Sequence, residues 1–160
     1  VSGSDFQKSF PDKKVIELGL PGDSLMGMLA RTEMIKSVTP EKIFMMGGIN
    51  SIRNGKDVTL EQYEELLHTV KEENPEIELY VMSILPISKE KEKAVTSNEV
   101  IKEFNAELSA LAMHMGITYV DLFSAYEDNG YLNPDLTKDG VHLKEDAYKI
   151  WEDKIEEYIY

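Results

Sequence analysis

Along the 160-residue chain, short apolar runs alternate with longer stretches in which apolar positions recur every three or four residues. The short runs are "KKVIELGL" (13–20), "KIFMMGG" (42–48), "IELYVMSILP" (77–86) and "ITYVDLF" (117–123). Each predicts a strand, and Pro86 stops the third. The second is apolar along its length, as a strand covered on both faces would be. Among the longer stretches, "SLMGMLARTEMIKSV" (24–38) predicts a helix with Asp23 or Ser24 at its N-cap. Thr59 with Gln62 forms a capping-box pattern for a helix starting at Thr59. Thr96 with Glu99 forms another before "VIKEFNAELSALAMHMG", a helix closed by Gly116. In the last helix Leu143, Ala147, Ile150, Trp151, Ile155 and Tyr158 fall on one face.

Strand–helix alternation of this kind predicts an α/β domain of three layers, a parallel sheet between helices joined by right-handed crossovers. The length fits a single domain spanning 1–160. Chemistry in such sheets gathers in the loops beyond the carboxyl ends of the strands. Here those loops are 19–24, 47–58, 85–96 and 123–142.

Composition narrows the function. A net charge of −13 repels nucleic acid phosphates and anionic lipid head groups, and the charges sit mostly on solvated helical faces such as "EQYEELLHTVKEE". No apolar run approaches the roughly 20 residues that cross a bilayer. Neither a nucleic acid partner nor membrane insertion is therefore expected. With no cysteine there is no disulfide framework, thiolate nucleophile or Cys-type zinc site, and cysteine usage leaves the compartment open. His, Asp and Glu show no metal-ligand spacing, so neither metal nor cofactor is expected.

Three loop stretches carry candidate chemistry. In "DGVH", Asp139 can curl back to accept the Nδ1 proton of His142, fixing the tautomer and leaving Nε2 as a base. In "GGIN", two glycines let the chain turn sharply at a strand end, and Asn50 offers a carboxamide N–H. Such a donor at a developing oxyanion contributes on the order of 3 kcal/mol. In "GLPGDS", Gly22 can point its N–H outward just before a helix. Each stretch taken alone also has a plainer reading: a surface turn, an Asn bonding its own backbone, a Gly-Pro loop with a capped helix. His68 and His114 lie on helices and read as structural.

Together and in this order, "GLPGDSLMGMLAR", "GGIN" and "DGVH" resemble the conserved blocks of the SGNH hydrolases, the GDSL-type esterase/lipase family. "IKEFNAELSALAMHMGITYVDLF" is similar to that family's last helix and strand, so the resemblance covers nearly the whole chain. It implies a flavodoxin-like five-stranded sheet of order 2-1-3-4-5. It also implies an oxyanion hole completed by the Gly22 N–H and the Asn50 side chain, with His142 as general base oriented by Asp139. Ser51 stands where the family commonly has Asp, a departure expected to loosen the Asn50 loop. Leu143 stands where Pro is common, without expected consequence.

Ser24 invites the role of nucleophile. In the family that serine ends the central first strand, two strand–helix units before the Asn block, whereas one unit separates Ser24 from Asn50. Ser24 therefore matches the second block, where it caps a helix. Four strands are predicted here, and the absent one is the central one. A strand ending in a serine nucleophile is accordingly expected upstream of Val1; Ser24 is the runner-up, and Ser2 and Ser4 follow no strand. The resemblance then implies a metal-independent serine esterase working through an acyl-enzyme on small acyl esters, acetylated carbohydrate among them. Two alternatives remain: a non-catalytic carbohydrate- or ligand-binding domain on the same fold, and an assembly in which another chain donates the strand.

Overall fold

The computed structural model describes residues 4–160; Ser2, set aside above as a nucleophile, lies outside them. In chain order the elements are α1 (Phe6–Ser9), α2 (Leu25–Leu29), α3 (Thr32–Val38), β1 (Lys42–Met45), α4 (Lys56–Glu73), β2 (Glu78–Met82), α5 (Asn98–His114), β3 (Thr118–Val120), α6 (Phe123–Tyr126), β4 (Glu127–Asp128), β5 (Tyr131–Leu132) and α7 (Tyr148–Ile159). The main sheet is parallel in the order β1-β2-β3, with Met45 beside Val81 and Val81 beside Tyr119.

Period-two alternation divides the strand side chains between two cores. Ile43, Met45, Leu79, Val81 and Tyr119 face one, which α4 and α5 fill with Tyr63, Leu66, Leu67, Phe104 and Leu108. Both crossovers advance the same way along the sheet, so both helices lie on that face. Phe44, Tyr80, Met82 and Val120 face the other core, which α7 covers with Tyr148, Trp151 and Ile155, helped by Phe6 and Phe10. Phe44 stacks on Tyr80 across the strands, centroids 4.6 Å apart. The domain is thus a three-layer α/β/α unit with its helices on both faces of a parallel sheet.

Four local expectations need correction. Residues 14–20 form no strand. A strand needs a neighbour, and among the described residues β1 pairs only with β2. The Val15 N–H is met instead by Gln7 Oε1 at 3.0 Å, and Ile16 and Leu20 stay exposed. The helix expected over 24–38 breaks into α2 and α3, because Arg31 leaves helical geometry (φ −117°, ψ 12°). The helix expected from Thr59 starts at Lys56, and the buried Thr59 hydroxyl donates to the Gly55 carbonyl at 2.7 Å instead of capping. Ser97, not Thr96, caps α5, its Oγ accepting the Val100 N–H at 3.2 Å. Gly116 ends α5 with φ +66°, as expected of a glycine closing a helix.

Beyond β2 the chain runs on without a strand partner. The Ser83 N–H still reaches Val120 O at 3.1 Å, the last bond of sheet type. After it, α5 supplies side-chain amides. Asn105 Oδ1 accepts the Ile84 N–H at 2.8 Å and its Nδ2 donates to Ile84 O at 2.9 Å. Asn98 does the same for Ile87, at 2.9 Å for both bonds. The match is geometric: seven residues of helix rise about 10.5 Å, and three residues of extended chain span about 10 Å. Each carboxamide acts as one residue of an absent strand, satisfying buried backbone groups that would otherwise be costly.

Packing sets the scale of stability. Phe104 is fully buried between sheet and helices, whereas Met113 on the same helix is 77% exposed. Phe104→Ala is expected to lower the unfolding free energy by about 3–5 kcal/mol, and Met113→Ala to change it by less than about 0.5 kcal/mol. Urea denaturation followed by circular dichroism checks both; equal effects would contradict this layering.

Candidate functional site

The turn before α7 is folded by one carboxylate. Asp139 Oδ1 accepts the N–H groups of Val141 (3.0 Å) and His142 (2.8 Å), and Oδ2 lies 2.7 Å from His142 Nδ1. Gly140, at φ +87°, lets the chain reverse between them. Thr137 Oγ1 accepts the Gly140 N–H (2.9 Å) and donates to His142 O (2.8 Å), closing the turn on itself. The backbone N–H of His142, followed by its ring and the Val141 N–H, holds the Asp139 carboxyl far below the usual carboxylate range. Asp139 therefore stays ionised at neutral pH and favours a proton on Nδ1. The ring itself is 75% exposed, with Nε2 left for exchange with a partner.

The glycine–asparagine pair forms a second unit. Gly22 adopts φ +71°, with open space where a Cβ would stand, and no hydrogen bond takes up its N–H among the described residues. Asn50 Nδ2 donates to Asp23 O at 2.8 Å, which holds the carboxamide beside the Gly22 turn. The loop carrying Asn50 springs from Gly48 (φ +112°), whose carbonyl accepts the N–H groups of Ser51 (2.9 Å) and Ile52 (2.8 Å). Ser51 does not loosen this loop. Its buried Oγ accepts the Leu25 N–H at 3.1 Å and ties the loop to α2.

The two units, Asp139–His142 and Gly22–Asn50, share no hydrogen bond among the described residues. Both belong to segments at the carboxyl end of the sheet. Gly47 and Gly48 follow β1, and Ser88, six residues past β2, donates from its N–H to Gly140 O at 2.8 Å. Ser24 is the N-cap of α2, with its Oγ accepting the Gly27 N–H at 3.1 Å.

Several residues that surround the candidate site were not singled out in the sequence. Arg31 grips the Asp23 carboxylate with both guanidinium nitrogens, at 2.5 and 3.3 Å, and also reaches Gly27 O at 3.0 Å. That bond to Asp23 raises the guanidinium pKa further, and the pairing neutralises a negative charge beside the Asn50 amide. Gly27 makes room for it, since a Cβ there would stand 2.2 Å from Asp23 Oδ1. Asn98 and Asn105, which hold the chain beyond β2, left a visible signal: two amides seven residues apart on the face of α5 that also carries buried Ile101 and Phe104.

A model of the GDSL-like Lipase/Acylhydrolase family matches residues 2–150. No curated protein sequence matches the chain. Among solved structures, a candidate acylhydrolase of Bacteroides fragilis superposes with TM-score 0.83 at 24% identity, covering 95% of this chain and 77% of its own. A GDSL-like lipase of Bacteroides thetaiotaomicron gives 0.82 at 23% identity, covering 96% and 81%. An acetyl xylan esterase gives 0.79 at 18% identity, covering 96% and 88%. At these identities the structural likeness is one of fold, and it agrees with the flavodoxin-like α/β/α arrangement. The family match spans most of the sequence, and the chain belongs to the GDSL-like lipase/acylhydrolase family.

Proposed function

We propose that this chain hydrolyses small acyl esters of polar alcohols, acetylated carbohydrate among them, through an acyl-enzyme formed on serine. The observation that carries the reading is the Asp139–His142 couple, an imidazole bonded at Nδ1 to an ionised carboxylate with its other nitrogen toward solvent. The serine Oγ attacks the ester carbonyl while His142 Nε2 takes its proton. The oxyanion is met by the Gly22 N–H and an Asn50 N–H, the amide having a second hydrogen besides the one given to Asp23 O. His142 returns the proton to the departing alcohol, and water repeats the two steps to free the acid. The route uses neither metal nor cofactor, because His142 activates serine and water in turn.

The nucleophile is proposed to come from a strand lying along the open side of β1, its serine upstream of Val1. Two observations support this over Ser24. The Ser24 hydroxyl is engaged in capping α2, and the backbone of β1 pairs on one side only among the described residues. For the alcohol, a shallow, open depression lies between the loops after β2 and β3 and the first turn of α5. Its walls include Glu92, Ser97, Glu99, Lys102, Asn129 and Tyr131, and no aliphatic side chain lines it among the described residues. Hydrogen-bonding groups with one aromatic ring suit a hydroxyl-rich alcohol better than an alkyl chain.

In the full-length protein, p-nitrophenyl acetate is expected to be cleaved with a kcat that His142→Ala lowers by about 10²–10⁴-fold. Equal rates would overturn the hydrolase reading and leave a binding domain. Asn50→Ala is expected to cost about 10²–10³-fold in kcat with KM little changed.

The depressed Asp139 pKa also fixes a pH signature. A carboxyl whose folded value lies below its unfolded value of about 3.9 stabilises the fold fully above that pH. The contribution fades as pH falls toward the folded value. Below about pH 5 the Tm difference between wild type and Asp139→Asn is therefore expected to shrink, most steeply below about 4. Thermal unfolding across that range checks it; a difference that grew on acidification would contradict the assignment.

A further inference from the structure

We propose that Asn98 and Asn105 are positioning residues that seat the two halves of the site separately, Asn98 the His142 turn and Asn105 the Asn50 loop. The proposal rests on the catalytic reading of those halves, but its geometry stands apart from that reading.

The Asp139–His142 turn is bonded mostly within itself. Among the described residues, the one hydrogen bond from 137–142 to chain outside 135–144 is Ser88 N–H to Gly140 O, at 2.8 Å. The contact is close: a Cβ on Gly140 would stand 2.3 Å from Ser88 Oγ. The exposed imidazole has little packing of its own, so its place follows from how the turn is seated: Val141 packs against one core, Leu143 is buried in the other, and the Ser88 bond fixes Gly140 between them and the chain beyond β2. The residue before Ser88 is Ile87, both of whose backbone groups are held by Asn98, a side chain in a residue only 3% exposed. Ile87 O also accepts the Leu132 N–H at 3.1 Å. The Asn98 carboxamide is fixed in turn by Glu92 Oε1, which accepts its Nδ2 hydrogen at 3.2 Å and its backbone N–H at 2.9 Å. One peptide bond therefore separates the Asn98 clamp from the fastening of the turn.

Asn105, in a residue 6% exposed, clamps Ile84 in the same manner. Ile84 leads to the other half. A Cβ on Gly48 would stand 2.9 Å from Ile84 Cδ1, so this side chain lies against the backbone from which the Asn50 loop springs. Two amides two turns apart on one helix thus address two loops that share no hydrogen bond with each other.

Nuclear magnetic resonance of the full-length protein tests the division, with Asn98→Ala and Asn105→Ala compared at matched fractions folded. In Asn98→Ala, faster exchange of the Ser88 amide and shifted backbone amide signals of Gly140 and His142 are expected, with the Asn50 side-chain amide signals unmoved. Asn105→Ala is expected to shift the Asn50 amide and spare Ser88 and His142. Either substitution should lower kcat for p-nitrophenyl acetate, which lacks the polar alcohol proposed for the depression beside Asn98, by up to about 10²-fold. If both variants disturb both halves alike, or neither disturbs its own, the amides serve stability alone and the proposal falls. Should an alanine variant not fold, Asn98→Asp or Asn105→Asp, which keeps the acceptor and removes the donor, is read by the same signals. These signals do not depend on turnover, so an inactive wild type would overturn the hydrolase reading while still deciding this one.

Discussion

A buried peptide group without a partner costs more than most side-chain contacts return. The structure depends on how this constraint is met past the end of β2. From Ile84 to Ile87 the chain is buried with no strand beside it, and the asparagines of α5 bond both backbone groups of Ile84 and of Ile87. Because those four residues pass between the sheet and the loops on its carboxyl side, their fixed course determines where the Ser83 hydroxyl meets the Leu122 and Phe123 N–H groups, at 2.9 and 2.7 Å. It also determines where Ser88 meets Gly140.

Charge is handled with the same economy of contacts. The chain carries an excess of thirteen negative charges, an unhelpful background for any site that must hold an oxyanion. The Asp23 carboxylate adjoins the Gly22–Asn50 pair in sequence, and Arg31 covers it in a two-point pairing. Three features of α2 and α3 go together here. The helix expected as a single piece breaks at Arg31, the guanidinium folds back over Asp23 and Gly27 O, and position 27 has no side chain to obstruct them.

The layers and the Asp139–His142 couple were legible in the sequence because each rests on local rules. Period-two and helical spacing divide residues between cores, and an Asp three residues before a His needs only a glycine-assisted turn to reach it. Element boundaries failed where a tertiary partner outweighs propensity: Thr59 turns its hydroxyl to Gly55, and Ser97 takes the cap from Thr96. Residues 14–20 have strand composition but no strand, since β propensity measures fit to a pleated neighbour more than a preference of the backbone. Ser51 was misjudged for a related reason. Its hydroxyl has a use only once Leu25, 26 positions away, is placed against it.

The fastenings of the two half-sites differ in kind, and the difference bears on how such a site can vary. The Asn50 half is held by side chains, through Asn50 to Asp23 O and Ser51 to the Leu25 N–H. Substitution at either position acts on that half directly. The His142 half is held to the body by a backbone-to-backbone bond, Ser88 to Gly140, which no substitution short of proline removes. Sequence change reaches it through what packs on the turn, Val141 and Leu143 in the two cores, and through α5, which positions Ile87 next to Ser88. On the proposed reading, Asn98 and Asn105 would then bear on catalysis through the placement of these two loops.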